Sequence, residues 1–210
     1  MSYYTLEFRL FSIDILSLYN LYFNVPPKGT GLLENPRIDT YLNCRNKQNG
    51  IKFRDGGLEI KVQSGLKTIH KGLFAQNWIK WRYISEEPKE NKASSLLQQS
   101  GWLSVLKNRK VKSYLDANEH LQYGYNESIS DNGVSVDFSE VQIPEFGIHV
   151  GTLGIEAFSS VGNHGKIMEK AIELIGKENL ENSEFEILSY PEFIYRYCIP
   201  FQNEQGKNES

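Results

Sequence analysis

Basic residues stand two apart at Lys52 and Arg54, at Lys80 and Arg82 and at Lys107 and Arg109, and Arg9 follows Glu7 at the same interval. A spacing of two puts both members on one face of a β-strand. Lys61 has the same setting, sharing a face with Glu59 between Leu58, Ile60 and Val62. Brought together, such cations bind a polyanion, arginine through bidentate forks and lysine as a compact point charge. Carboxylates at comparable positions are fewer: Glu7, Glu59, Asp137 and Glu156. Hard oxygen donors of this kind suit a divalent cation. Glu7 has three roles open to it: a metal ligand, a partner for Arg9, or an acid in water.

The elements that must position these residues read as strands. Tyr3 to Phe11 alternates, with Leu6, Phe8 and Leu10 on one face and Thr5, Glu7 and Arg9 on the other. Further strands are expected at Arg37–Arg45, Ile51–Arg54, Leu58–Val62, Asn77–Ile84, Lys107–Leu115, Tyr123–Ile129, Gly133–Val141 and Gly147–Phe158. Asp55-Gly56-Gly57 is a tight turn that makes a hairpin of the second and third of these. Helices are expected at Ser12–Tyr19 with Ser12 as N-cap, at Ala93–Val105, at Ile167–Ile175 closed by Gly176, and at Tyr190–Tyr197. Ser85–Lys92 reads as a polar linker, and Gln202–Ser210 as a frayed tail behind one domain spanning residues 1–201.

Eight or so strands with one polar and one apolar face can be arranged in two ways. An antiparallel sheet can leave its polar face in water. Alternatively the sheet curls, the polar faces line a pore, and helices cover the apolar outside. The concentration of cations on the polar face, in a chain of net charge −3, favours the second. Like charges crowded into a partly desolvated space need a polyanion to neutralise them.

That net charge argues against a nucleic-acid partner. No apolar run reaches the roughly 18 residues of a membrane span. Glu7 and Arg9 interrupt any apolar leader, and the two thiols, Cys44 and Cys198, form no disulfide framework, so the expected setting is the cytoplasm. His70, His120, His149 and His164 lack the spacing of a metal site. Nothing matches a P-loop or a dinucleotide fingerprint.

Read in order, Leu6-Glu7-Phe8-Arg9, Asp39-Thr40-Tyr41-Leu42, Ile51-Lys52-Phe53-Arg54, Lys107-Asn108-Arg109, Ile155-Glu156 and Ser189-Tyr190-Pro191-Glu192-Phe193 resemble the CYTH, or triphosphate tunnel, superfamily. The resemblance spans roughly residues 4–197. It implies an α+β fold, an eight-stranded antiparallel β-barrel forming a tunnel with flanking helices. It implies a small-molecule triphosphate or polyphosphate as ligand, held by Arg9, Lys52, Arg54, Lys61, Lys80, Arg82, Lys107 and Arg109. It also implies Mg²⁺ or Mn²⁺ on Glu7, Asp137 and Glu156, with Glu7 and Glu156 catalytic in metal-assisted attack on phosphorus.

Two positions depart from the family pattern. The family's opening E-x-E-x-K reads Thr5-Leu6-Glu7-Phe8-Arg9 here, and the late pair of acids reads Gly154-Ile155-Glu156. Two oxygen ligands are thereby missing, while the phosphate-binding half is better kept. The expectations are an enzyme, a metal-dependent triphosphate hydrolase or else a nucleotide cyclase, or, alternatively, a tunnel that binds phosphate ligands without turning them over.

Overall fold

The computed structural model describes residues 2–70, 72–84, 95–96, 98–99, 101–117, 120–124, 132–181 and 184–198. The strands are β1 (Ser2–Ser12), β2 (Leu32–Leu33), β3 (Arg37–Leu42), β4 (Asn49–Arg54), β5 (Gly57–His70), β6 (Leu73–Ile84), β7 (Trp102–Ala117), β8 (His120–Tyr123), β9 (Asn132–Ile143), β10 (Ile148–Ser159) and β11 (Glu186–Ile187). The helices are α1 (Ile15–Asn24), α2 (His164–Ile175), α3 (Lys177–Leu180) and α4 (Tyr190–Tyr197).

Eight strands close on themselves in the order β1-β6-β5-β4-β3-β7-β9-β10, and every neighbouring pair is antiparallel. The ring shuts where β1 meets β10, registered from Thr5 opposite Phe158 to Ser12 opposite Gly151. Closure leaves none of the eight with an unpaired edge along its whole length. The α+β barrel expected from the sequence is the fold observed. Among the described residues, no helix is long and apolar enough to cross a membrane.

The main apolar core lies outside the barrel. Leu6, Phe8 and Leu10 of β1, Val136 and Phe138 of β9, and Leu153 and Ile155 of β10 pack against Leu18 and Tyr22 of α1 and Ile167, Met168, Ala171 and Ile172 of α2. Each such side chain contributes ~1.5–3 kcal/mol on burial. The strands therefore turn their other face, the polar one, inward.

A second core fills one end of the barrel. Phe11, Tyr41, Leu103, Val105, Val141, Ile143 and Val150 meet Tyr190, Phe193 and Ile194 of α4. Ser189 caps α4 by accepting a hydrogen bond from the Glu192 backbone N–H at 3.2 Å. Pro191 in its first turn abuts β4, where a Cβ on Gly50 would lie 2.8 Å from the proline ring. Only glycine leaves room for the helix there.

Several boundaries differ from the sequence-based expectations. Residues 102–105 belong to β7 and not to a helix, because Gly101 takes φ +89° and opens an extended run in which Leu103 and Val105 alternate with Trp102 and Ser104. Residues 95–96 of that expected helix are helical, while its residues 93–94, 97 and 100, the 85–92 linker, residues 125–129 of the expected 123–129 strand and the 202–210 tail lie outside the described residues. Ser12 ends β1 and its hydroxyl accepts from Asp14 N, whereas Asp14 caps α1 by accepting from Ser17 N at 3.0 Å.

Candidate functional site

The barrel interior is sorted by depth. Along β1 the inward side chains run Thr5, Glu7, Arg9 and then Phe11, which is stacked on Phe193 at 4.4 Å. On β7 the inward set is Leu103, Val105, Lys107, Arg109, Val111 and Ser113, and on β9 it is Ser135, Asp137, Ser139, Val141 and Ile143. Each strand thus changes from apolar at the α4 end to charged beyond it. The charged part surrounds a cavity of about 840 Å³.

Eight cationic side chains line it: Arg9, Arg37, Lys52, Arg54, Lys61, Lys80, Lys107 and Arg109. Five carboxylates share the wall, Glu7, Glu34, Glu59, Asp137 and Glu156, and fully buried Asp39 lies against Lys107. Eight cations against six carboxylates leave an excess of two positive charges, in a chain whose net charge is −3. Of the cations expected from the sequence, only Arg82 is not part of this wall; its Nε lies 4.0 Å from Glu59 with the side chain 40% exposed.

The acids distribute themselves between cations. Asp137 accepts two hydrogen bonds from Arg9, at 3.0 and 3.2 Å, and lies 3.5 Å from Arg109. Glu7 pairs with Lys61 at 2.9 Å and with Lys80, which also reaches Glu156 at 2.6 Å. Asp39 pairs with Lys107 at 3.0 Å and Arg37 at 3.3 Å. Glu59 holds Lys52 and Arg54, at 2.9 and 2.7 Å, and Glu34 holds Arg37 and Arg109, both at 2.8 Å.

Titration follows from these surroundings. Burial pushes the carboxyls of Glu7, Asp39 and Asp137 upward, but their cationic neighbours outweigh it and hold all three well below the ordinary range. For Lys52, Lys61 and Lys107 the balance goes the other way, and burial brings each down to about 8. Lys80 sits between Glu156 and Glu7, which overcome its burial and raise it. Aromatic faces supply further support, with the Lys107 ammonium 3.7 Å from the Tyr190 ring centre and that of Lys61 4.2 Å from Trp78.

Glu7 and Glu156 face each other as registered partners on β1 and β10, as a shared metal site would require. Lys80 stands between them and bonds both carboxylates. Asp137 belongs to a different group, taken up by Arg9 and Arg109. Among the described residues, no three His, Cys, Asp or Glu side chains are grouped so as to hold a metal ion. The space between the two carboxylates, where such a cation would sit, holds the Lys80 ammonium group.

Sequence reasoning did not place Glu34, Arg37, Asp39, Tyr41 or Tyr190 in the site, and it set Glu59 on the polar face without naming its partners. Arg37, Asp39 and Tyr41 carried a signal, three polar-face residues two apart. The pairing of Glu59 with Lys52 depends on the β4–β5 register, which sets the two directly opposite.

No family profile matches the sequence, and no curated protein is significantly similar to it. Solved structures with a similar chain course include PH1819 protein from Pyrococcus horikoshii OT3, 20% identical, covering 90% of this chain and 98% of its own with a TM-score of 0.46. A conserved hypothetical protein from Pyrococcus furiosus is 17% identical over 90% and 98% of the two chains, with a TM-score of 0.45. PH1012 protein from P. horikoshii OT3 is 15% identical over 92% and 98%, with a TM-score of 0.47.

Proposed function

We propose that this protein is a divergent CYTH-like tunnel that captures triphosphate or polyphosphate compounds inside its barrel without requiring a divalent metal. The observation that carries this reading is the convergence of eight cations from six strands on one cavity inside the barrel. An anion entering it exchanges water for charge-assisted hydrogen bonds in a medium of low dielectric. Lys80 supplies, between Glu7 and Glu156, the positive charge that a metal would otherwise bring.

Calorimetric titration of inorganic tripolyphosphate in EDTA tests this. Binding in EDTA is expected, weakening with salt and changing little on addition of Mg²⁺. Binding seen only with Mg²⁺ or Mn²⁺ would overturn the reading. Lys52→Gln with Arg54→Gln removes two charge-assisted contacts of ~1.5–3 kcal/mol each and should weaken the affinity at least about tenfold.

A second reading, metal-dependent triphosphate hydrolysis, is favoured by the registered opposition of Glu7 and Glu156. It requires turnover that depends on Mg²⁺ or Mn²⁺ and is abolished in Glu7→Gln.

A further inference from the structure

We infer that a second ligand site lies where β1, the β5–β6 ladder and the start of α2 meet, and that it takes a small polyhydroxy acid with its acid group on the first turn of α2. The inference goes beyond the phosphate-binding reading and does not depend on it.

A cavity of about 360 Å³ opens at this junction, with Thr5, Ser64, Asn77, Trp78, Ser160 and His164 in its wall. Its room comes from an irregularity in the ladder. Register between β5 and β6 shifts between Gln63 and Gly65, which leaves Ser64 without a residue opposite. Trp78 is fully buried and Thr5 is 3% exposed. Neither the indole N–H nor the Thr5 hydroxyl finds a hydrogen-bond partner among the described residues. Buried polar groups are costly in that condition, and a polar ligand in the cavity would satisfy them.

The first turn of α2 is open at the same place. Its N-cap, Asn163, makes no side-chain hydrogen bond to the helix, and no acidic residue stands in the first turn. The positive end of the helix is therefore unanswered. A cation is added to it: a Cβ on Gly165 would overlap the Lys67 ammonium, so Lys67 lies over the turn where a helix start disfavours positive charge. Glu169 is 3.8 Å from Lys67, but both side chains are largely exposed and such a pair is weak. An oxyanion between Lys67 and the open amides answers both. A ring nitrogen of His164 lies 3.2 Å from the Tyr4 carbonyl oxygen, which ties this turn to β1 and to the cavity.

The wall selects the rest of the ligand. No carboxylate stands among the described residues that line the cavity, and the Trp78 N–H can only donate. The Thr5, Ser64 and Ser160 hydroxyls and the Asn77 amide both donate and accept, as ligand hydroxyl groups require. An acid group alone would leave most of this wall unanswered. A polyhydroxy acid reaches it.

NMR titration of the full chain with D-gluconate, inorganic sulfate and sorbitol tests the proposal, read at the Gly162, His164 and Gly165 amides and the Trp78 indole N–H. Gluconate should shift all four signals to saturation, sulfate should bind at least about tenfold more weakly, and sorbitol should leave them in place. Lys67 is 41% exposed, so Lys67→Gln keeps the fold and should weaken gluconate at least about tenfold. Sorbitol binding as tightly as gluconate, or unchanged affinity in Lys67→Gln, would overturn the anion. Sulfate binding as tightly as gluconate would overturn the polyhydroxy ligand. No shift of these signals with any of the three would overturn the site, whatever the barrel interior binds.

Discussion

The Arg9 guanidinium and the Asp137 carboxylate meet across Gly154, through two hydrogen bonds of 3.0 and 3.2 Å. Gly154 is the registered partner of both residues, on β1 and on β9. A Cβ built on Gly154 would overlap the guanidinium and crowd the carboxylate. The missing side chain is therefore what lets this ion pair form. Gly154→Asp should cost ~1–3 kcal/mol from overpacking, with an added charge beside Asp137, and should create no Mg²⁺-dependent activity. Chemical denaturation and a phosphate-release assay check both parts; a stable variant with metal-dependent turnover would show that the site accepts the acid.

The three cavity lysines brought down to about 8, Lys52, Lys61 and Lys107, give the barrel interior an alkaline signature. An unfolded lysine titrates near 10.4, so between about 8 and about 10.4 the unfolded chain binds more protons than the folded one. In that window these groups make stability rise with pH. Anion affinity moves in the opposite direction, since it needs the ammonium forms. Tripolyphosphate binding should fall at least about tenfold between pH 7.5 and pH 10, with net proton uptake on binding above pH 8. Titration in buffers of different ionisation enthalpy measures that uptake; affinity constant to pH 10 would show that the lysines do not contact the ligand.

Lys112 offers a control on the opposite face of β7. It is 1% exposed, and its ammonium donates to the carbonyl oxygens of Tyr22, Phe23 and Val25 at 2.9, 3.3 and 2.6 Å. It thereby satisfies carbonyls at the C-terminus of α1 that the helix leaves open. Lys112→Met removes the donor and should cost ~1–3 kcal/mol of stability. Tripolyphosphate affinity should remain unchanged, because the residue points away from the cavity. A denaturation curve and one titration suffice, and a loss of affinity in the folded variant would contradict this division between the faces of β7.

Period-two alternation made most of the barrel legible. It located the cores of β1, β4, β9 and β10, and the Ser-Tyr-Pro run marked the start of α4. The second half of β5 was hidden because the ladder with β6 shifts register between Gln63 and Gly65, breaking the alternation. Gly101 disguised the start of β7, because the helical pattern upstream reads on across it to Val105 and the positive φ from which the strand opens is invisible in sequence. The cations of the site were legible because residues two apart share a face whatever the register. Which carboxylate pairs with which cation was not: Glu34 reaches Arg109 from 75 residues away. Tyr190 was legible as a helix start but not as part of the cavity wall, since nothing local says which end of a barrel α4 will fill.

A crystal structure of the protein grown with tripolyphosphate and EDTA tests the central claim most directly. The account predicts density for the phosphate chain inside the barrel, with phosphate oxygens within ~3.2 Å of the Arg9, Lys52 and Lys107 side-chain nitrogens. Well-ordered tripolyphosphate held only on the outer surface, with the interior ion pairs undisturbed, would contradict it.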